Sequence, residues 1–297
     1  MSDFWIAVAL SVVSAVCYGG GAVQQRRVAA GIPPELTRWA VLPVLLGQAR
    51  WWAALALNST GALLHVVALV YGTLIVVQPL GTLALVFALP WAAWLMARTV
   101  TGREWRGALL TMGALSVMMV VAAPTEGGHA QDQQGALVLT VGTLAGVGVA
   151  AALALRLPRV AWRSQVCAAA AGLGFGVSSA LTKTLAEQVL AEGLMGLVHV
   201  AVPGIAALGV SGVLLSQAAY RGVTVGAPLA TMTLANPVAA VLVGLLFMGE
   251  VYLGGGWGLV VALLSGAVAV RGVVLLTVTV DAGVRQRRIA PVAGGAG

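Results

Sequence analysis

The segment at 71–82 reads YGTLIVVQPLGT, and the segment at 220–231 reads YRGVTVGAPLAT. Each copy places a tyrosine eight positions before a Pro-Leu pair and a threonine two positions after that leucine. The copies begin 149 positions apart in a chain of 297 residues. An apolar segment that recurs at half the chain length predicts two structurally related halves.

The composition predicts a membrane protein rather than a water-soluble one. Hydrophobic residues make up 60% of the chain and charged residues only 8%, whereas soluble domains carry about 25% charged residues. The charges are clustered, so long segments contain no Asp, Glu, Lys or Arg. These segments are Phe4–Gln25, Trp51–Ala97, Gly107–Thr125, Gln133–Leu155, Ser164–Thr182, Gly193–Tyr220, Gly222–Gly249 and Val251–Val270.

These uncharged segments predict nine transmembrane helices, numbered here as predicted helices 1 to 9. A helix rises about 1.5 Å per residue, so about 20 residues cross a hydrocarbon core of roughly 30 Å. Trp51–Ala97 is long enough for two helices, with a turn near Tyr71-Gly72-Thr73, and each other segment accommodates one. The segments lack the period-2 alternation of outer-membrane strands. The predicted fold is therefore an all-α polytopic membrane protein.

The placement of the charges predicts the orientation. If the N-terminus lies outside, all fifteen arginines fall on the inner side, as the positive-inside rule requires. The N-terminal MSDFW lacks the basic region of a cleaved signal, so predicted helix 1 is retained. We expect a multi-pass protein of the cytoplasmic membrane with its C-terminus inside. The net charge of +7 then faces cytoplasm and anionic lipid, and no nucleic-acid partner is expected.

The similarity between the halves extends to four helices in each. Tyr18-Gly19 in predicted helix 1 matches Phe175-Gly176 in helix 6, and Gly102-Arg103-Glu104 before helix 4 matches Gly249-Glu250 before helix 9. The segments quoted first relate helices 2 and 3 to helices 7 and 8. The predicted organisation is a first repeat at 1–125, linking helix 5 with its loops at 126–163, a second repeat at 164–280 and a disordered cytoplasmic tail at 281–297.

The two repeats are predicted to have opposite orientations. Five helices separate each element from its counterpart, and because five is odd the copies enter the membrane from opposite sides. Inverted repeats of this kind are typical of secondary transporters. The sequence contains no Walker loop, no Gly-x-Ser-x-Gly and no His-Glu-x-x-His motif. It therefore predicts neither an ATP-driven pump nor an enzyme, and we assign no catalytic residue and no cofactor.

The repeated Tyr…Pro-Leu pattern, the FMGE at 247–250 and the four-helix repeat resemble the drug/metabolite transporter superfamily of EamA type. The resemblance covers roughly 4–276. It implies a solute carrier of the cytoplasmic membrane with a central cavity between the repeats, and it favours export.

The segment QPLGTLALVF at 78–87 is also similar to NIPA-type magnesium transporters. Those proteins carry Gly-Glu followed by Asn early in helix 2, whereas this chain has Gly61-Ala62 and then His65. The carboxylate is absent, and Mg²⁺ usually binds through one or two carboxylates. We assign no metal site, and a divalent-cation carrier remains the alternative. A membrane scaffold that transports nothing is a second alternative.

Polar side chains inside predicted spans are the candidates for solute binding, because such groups usually face protein or a water-filled cavity. Asn58 and His65 share one face of predicted helix 2, and Gln78 and Thr82 share a face of helix 3. Each has a structural alternative: threonines can bond their own helix backbone, amides can join helices, and the histidine can simply pack. The candidates are Asn58, His65, Gln78, Thr82, Gln217, Thr231 and Asn236.

Proline and lysine residues complete the candidate set. Pro79 and Pro228 occupy matching places in the two repeats, and interrupted helices at matching places indicate a transporter's site. We expect these two and Pro237 to kink helices or act in gating. Lys183 lies near the outer end of predicted helix 6, where it either reaches the headgroups or faces the pathway as a charge partner for an anionic solute.

The sequence therefore predicts a secondary transporter of a small organic metabolite or drug-like solute that works by alternating access, with export as the direction. The expected partners are this solute and the lipid bilayer, and a homodimer is left open.

Overall fold

The computed structural model describes residues 2–32, 38–72, 74–121, 124–126, 132–193, 195, 200–249, 251–252 and 255–289. These residues form helices and one pair of short strands. The helices are α1 (Ser2–Ala30), α2 (Arg38–Leu46), α3 (Ala49–Tyr71), α4 (Leu74–Gly81), α5 (Ala84–Leu95), α6 (Gly102–Val121), α7 (Gln133–Arg156), α8 (Val160–Glu192), α9 (Ala201–Ala219), α10 (Gly226–Phe247) and α11 (Gly255–Ile289).

Eight of the described helices are long and apolar enough to cross a membrane. They are α1, α3, α6, α7, α8, α9, α10 and α11. Within lipid a backbone must satisfy its own hydrogen bonds, and a helix does so. The predicted class, a helical multi-pass membrane protein, is confirmed, while the count of nine spans stays a prediction.

Predicted helix 3 is divided into α4 and α5. The turn between them is Thr82-Leu83, where the Leu83 amide donates to the Leu80 carbonyl at 3.1 Å and the Leu85 amide donates to the Thr82 carbonyl at 3.2 Å. These tight i to i+3 bonds replace the regular helical ladder. The first segment ends at Gly81, a poor helix former.

Other differences from the sequence prediction concern the segments between the long helices and the C-terminal end. The short helix α2 forms in a stretch that we expected to be a loop, and the strands β1 (Pro124–Glu126) and β2 (Val251–Tyr252) pair antiparallel. Helix α11 continues to Ile289, into the segment predicted to be disordered, because Val284–Ile289 is rich in arginine and glutamine, which favour helix. The segment 290–297 lies outside the described residues.

The helices pack in pairs that repeat along the chain. In the first half α1 packs against α3, α4 and α5, and in the second half α8 packs against α9 and α10. Helix α6 packs along α11, and α5 meets α10 between the halves. The largest buried apolar cluster joins both halves at this centre and contains Leu85, Leu89, Tyr220, Val225 and Leu276.

We call the end of the bundle where α1 and α9 finish and α8 begins the inner end, because the arginine pattern predicts that it faces the cytoplasm. At this end Glu104 is 3% exposed and binds Arg98 through two hydrogen bonds of 2.8 and 2.9 Å. Its carboxylate also accepts from the Thr101 amide at 2.8 Å, and the Glu104 amide donates to Thr101 Oγ1 at 3.2 Å. This capping box fixes the start of α6.

Candidate functional site

The same aromatic-on-glycine contact occurs in both halves of the molecule. In the first half the Tyr18 ring on α1 covers Gly61 on α3, so that a methyl group at Gly61 would lie 3.2 Å from the ring. In the second half the Phe175 ring on α8 covers Gly212 on α9, where a methyl group would lie 2.6 Å from the ring. Tyr18 and Phe175 occupy matching positions in the sequence repeat.

A second close contact also recurs. A methyl group at Gly19 on α1 would lie 2.9 Å from the Ala84 carbonyl and 3.2 Å from the Ala88 amide of α5. At Gly172 on α8 it would lie 2.8 Å from the Met232 carbonyl and 3.2 Å from the Asn236 amide of α10. In each half the first helix thus approaches the third helix backbone to backbone, which only glycine permits.

The break between α4 and α5 lies beside His65 of α3. A methyl group at Gly81 would lie 3.7 Å from Cε1 of the His65 ring, so the imidazole rests against the last residue of α4. Thr82 in the turn is 2% exposed, and His65 is half-buried. The structure therefore brings two predicted site residues, His65 and Thr82, to one interrupted helix.

Helix α10 has a gap in its hydrogen-bond ladder at a comparable place. Pro237 lies inside the helix and has no amide hydrogen, so the carbonyl of Thr233 lacks its regular donor. Two residues before Thr233, Thr231 Oγ1 donates to Gln165 Oε1 on α8 and also contacts the Ala227 carbonyl at 2.9 Å. Asn236 is half-buried, and its backbone lies against Gly172.

The other predicted residue of α3 faces α1. A methyl group at Gly21 of α1 would collide with the side-chain oxygen of Asn58, so this amide packs closely on α1. Gly61, one turn further along α3, is covered by Tyr18 in the same way. The face of α3 that carries Asn58 and Gly61 is thus a helix–helix contact, and only its outer continuation at His65 reaches α4.

Gln217 lies at the inner end of α9 and is 2% exposed. Its side-chain amide donates to the Gln25 carbonyl of α1 at 3.0 Å. Gln25 in turn donates from its side chain to Ser216 Oγ at 3.3 Å. The structure places Gln217 in a contact between the two halves, far from His65.

The remaining predicted residues are less informative. Gln78 and Pro79 lie within α4, but their side chains are outside the described residues. Pro228 is the third residue of α10, where its missing amide hydrogen costs no helical bond. Lys183 approaches Glu187 at 4.0 Å across one turn of α8. No group of three metal-ligating side chains occurs among the residues that the structure describes.

Sequence reasoning missed the inner-end partners Gln25 and Ser216. Gln24 and Gln25 form a polar pair at the end of an uncharged segment, and that pair was the available signal. Their partners on α9 lie in the other half of the chain, so only the fold could reveal the contact.

The chain was compared with protein families, curated proteins and solved structures. It is 27% identical over 255 residues to an uncharacterized protein of Corynebacterium glutamicum, a match that covers 84% of this chain and 87% of that protein. No protein-family model matches the chain. No solved structure matches it.

Proposed function

We propose that the chain is a secondary transporter of the cytoplasmic membrane that carries a small neutral or zwitterionic organic solute between two inverted four-helix repeats. The observation that carries this proposal is the recurring contact of Tyr18 with Gly61 and of Phe175 with Gly212. Tyr18 and Phe175, which match in sequence, each cover a glycine of the next long helix of their half, as is expected of a structural repeat. An odd helix offset between the copies makes that repeat inverted, as in many carriers.

The packing pairs support the same arrangement. The first helix of each repeat packs on the second and third: α1 on α3 and α5, and α8 on α9 and α10. The counterparts α5 and α10 meet each other, as do α6 and α11. Two similar units that touch through equivalent helices have a pseudo-twofold relation, and a pathway in such proteins runs along their interface.

The solute site that we propose lies where the helix ladders are interrupted. The first repeat contributes the turn at Thr82 with the imidazole of His65, and the second contributes the Thr233 carbonyl released by Pro237 and the nearby Asn236. Backbone polar groups freed inside a membrane are tolerated where they line a cavity or contact protein. Here they provide acceptors and donors that an apolar wall cannot provide.

The charges near this site indicate the solute class. Helices α4, α5 and α10 contain no Asp, Glu, Lys or Arg, and α3 contains only Arg50 near its inner end. A solute with a net charge would therefore have no opposite charge on these helices. Hydroxyl, amide, imidazole and backbone groups suit a neutral or zwitterionic molecule instead. The repeats would rock about this site, exposing it to each side in turn, with export as the net direction.

A solute-stabilisation screen tests the function. The purified full-length chain in detergent is heated with a panel of amino acids, nucleosides, sugars and neutral drug-like compounds, and with MgCl₂ as a separate arm. A binder present at 100 times its Kd should stabilise the chain by about 2.7 kcal/mol. Flux of each hit is then measured in proteoliposomes without ATP.

Two variants make the screen specific to the site. His65→Ala should reduce both the stabilisation and the flux of a hit, because His65 lies at the break between α4 and α5. Leu63 lies on the same helix and is 68% exposed, so Leu63→Ala should leave both the stabilisation and the flux unchanged. Stabilisation and flux with MgCl₂ alone would overturn the organic-solute proposal in favour of cation transport, and no flux with any hit would favour a scaffold.

A further inference from the structure

The two halves are joined at the inner end by hydrogen bonds between α1 and α9. Gln217 donates to the Gln25 carbonyl at 3.0 Å, and Gln25 donates to Ser216 Oγ at 3.3 Å. The next residue, Arg26, donates from Nε to the carbonyl of Val223, just beyond α9. These three bonds, which we call the α1–α9 contact, all cross from the first repeat to the second.

An apolar cluster closes the same end. Val28 and Ile32 at the end of α1 pack with Leu45 of α2 and Trp51 of α3. Val213 of α9 packs against this cluster from the second repeat. The inner end therefore has both polar bonds and apolar packing between the repeats, and its centre is removed from water.

The opposite end has a different contact between the halves, in which β1 pairs with β2. The repeat relates α1 to α8 and α3 to α9, so the counterpart of the α1–α9 contact would join α8 to α3. Among the described residues α3 and α8 do not pack to the extent that α1 and α9 do. The structure thus joins α1 to α9 at the inner end, whereas their counterparts α8 and α3 are less closely joined at the outer end.

We propose that the α1–α9 contact is the inner gate of the carrier, with Gln25 and Gln217 as its gating residues, and that the structure is the conformation closed toward the cytoplasm. This inference rests on the proposed transport function, because a gate requires a pathway. It assigns Gln217 to the gate rather than to the solute site.

The hydrogen-bond inventory of the gate favours opening and closing over a permanent seal. Gln217 Oε1, Gln24 Oε1 and Trp51 Nε1 are buried near this end without a partner among the described residues. A buried polar group without a partner raises the free energy of the state that buries it. Opening would let water reach these groups. The closed state therefore carries a free-energy cost that the open state does not have.

Distances between spin labels test the gate without any solute. One label pair, at positions 27 and 218, spans the inner end across the repeats, and a second pair, at 70 and 186, spans the outer end between α3 and α8. All four positions are exposed. A third pair, at 160 and 218, joins the start of α8 to the end of α9 at the inner end and serves as the control. Cys17 and Cys167 are replaced by alanine, and the full chain is measured in lipid nanodiscs.

The variants Gln25→Leu and Gln217→Leu remove the polar bonds while keeping side-chain size. Gln25→Leu should shift the equilibrium from the short to the long inner distance by roughly two- to tenfold, the effect of losing one net hydrogen bond. Gln217→Leu should shift it less, because it also removes the unpartnered Gln217 Oε1. The outer pair should shorten in parallel, and the control pair should not change. Gln134→Leu, an exposed glutamine at the start of α7, should alter none of the pairs.

Unchanged inner and outer distances in both glutamine variants would overturn the gate. Lengthening of the control pair together with the inner pair would also overturn it, because that result means local unfolding rather than movement of one repeat against the other. The solute screen can fail while these distances respond, and the distances can stay unchanged while the screen gives a hit. The proposed transport function and the proposed gate can therefore be tested separately.

Discussion

The third helix of the first repeat and the third helix of the second differ in continuity, although their sequences match. The first is broken into α4 and α5 at Thr82-Leu83, whereas α10 runs unbroken from Gly226 to Phe247. The matching prolines do not explain the break, because a proline removes the bond to the carbonyl four residues before it and the break lies after Pro79. Pro79 is the sixth residue of α4, while Pro228 is the third residue of α10, where no helical partner is lost.

The start of α10 is set by the turn before it. Gly222 has a φ of +74°, a conformation that glycine adopts readily and that ends the preceding segment. At the matching place the first copy has Leu-Ile-Val-Val at 74–77, and this stretch is already helical. The two halves therefore have similar contacts between their helices, but they differ at the helix that borders the proposed site.

The shared contacts can be broken in both halves with matched variants. Tyr18→Ala and Phe175→Ala each remove a ring that covers a glycine, and each should destabilise the chain by roughly 2–4 kcal/mol, since both loss of burial and a cavity contribute. Similar losses in the two variants are expected if the repeat is real. Thermal unfolding in detergent measures them, with Trp257→Ala as the control because Trp257 is 81% exposed. A large loss in one half and none in the other would contradict the equivalence.

Glycine substitutions sharpen the comparison. A methyl group at Gly176 would collide with the Asn236 carbonyl and lie 2.7 Å from Ala239 Cβ, while at Gly19 it would lie 2.9 Å from the Ala84 carbonyl. Overpacking of this kind costs typically about 1–3 kcal/mol, so we expect Gly176→Ala to be the more destabilising and Gly19→Ala the less. Gly146→Ala, with open space around it, should be neutral or slightly stabilising. The midpoint of thermal unfolding reports all three, and equal effects at 146 and 176 would refute the close approach of α8 to α10.

The interruption in α10 can be repaired. Pro237→Ala restores an amide hydrogen that can bond the Thr233 carbonyl, so the chain should gain about 1 kcal/mol of stability. If that carbonyl takes part in solute binding, the stabilisation by a hit from the screen should fall at the same time. Pro90→Ala, in the exposed part of α5, supplies the control, because it repairs a helix away from the proposed site. A gain in stability with unchanged solute binding would remove the Thr233 carbonyl from the site.

Most of the helical architecture follows from the sequence because charges are excluded from hydrocarbon. The uncharged segments locate the spans, but their edges mark the membrane boundary rather than the helix end. Helix α1 continues through Arg26 and Arg27 to Ala30, and α8 continues past Lys183 to Glu192, because a charged residue can extend a helix once it leaves the lipid. The α4–α5 break was not predictable from its proline alone, since the matching Pro228 causes no break.

The candidate site was only partly accessible to prediction. Periodicity predicts that Asn58 and His65 share one face of α3, but it cannot say which neighbour each residue meets. Asn58 packs on Gly21 of α1, and His65 meets Gly81 of α4. Gln217 is a similar case, because its partner Gln25 lies in the other half of the chain and the pairing depends on the tertiary fold.

The central claim, that the two repeats have opposite orientations in the membrane, is tested most directly by labelling two matched glycines. Gly102→Cys at the start of α6 and Gly249→Cys before α11 are introduced singly in a chain with Cys17→Ala and Cys167→Ala. Both positions are exposed with open space for the side chain. Gly249 has a φ of +65°, which strains any other residue, so the folding of its variant is checked by thermal unfolding first. A membrane-impermeant maleimide applied to intact cells should label position 249 and leave position 102 unlabelled until the membrane is opened. Labelling of both positions from the same side would contradict the inverted repeat and, with it, the proposed pathway.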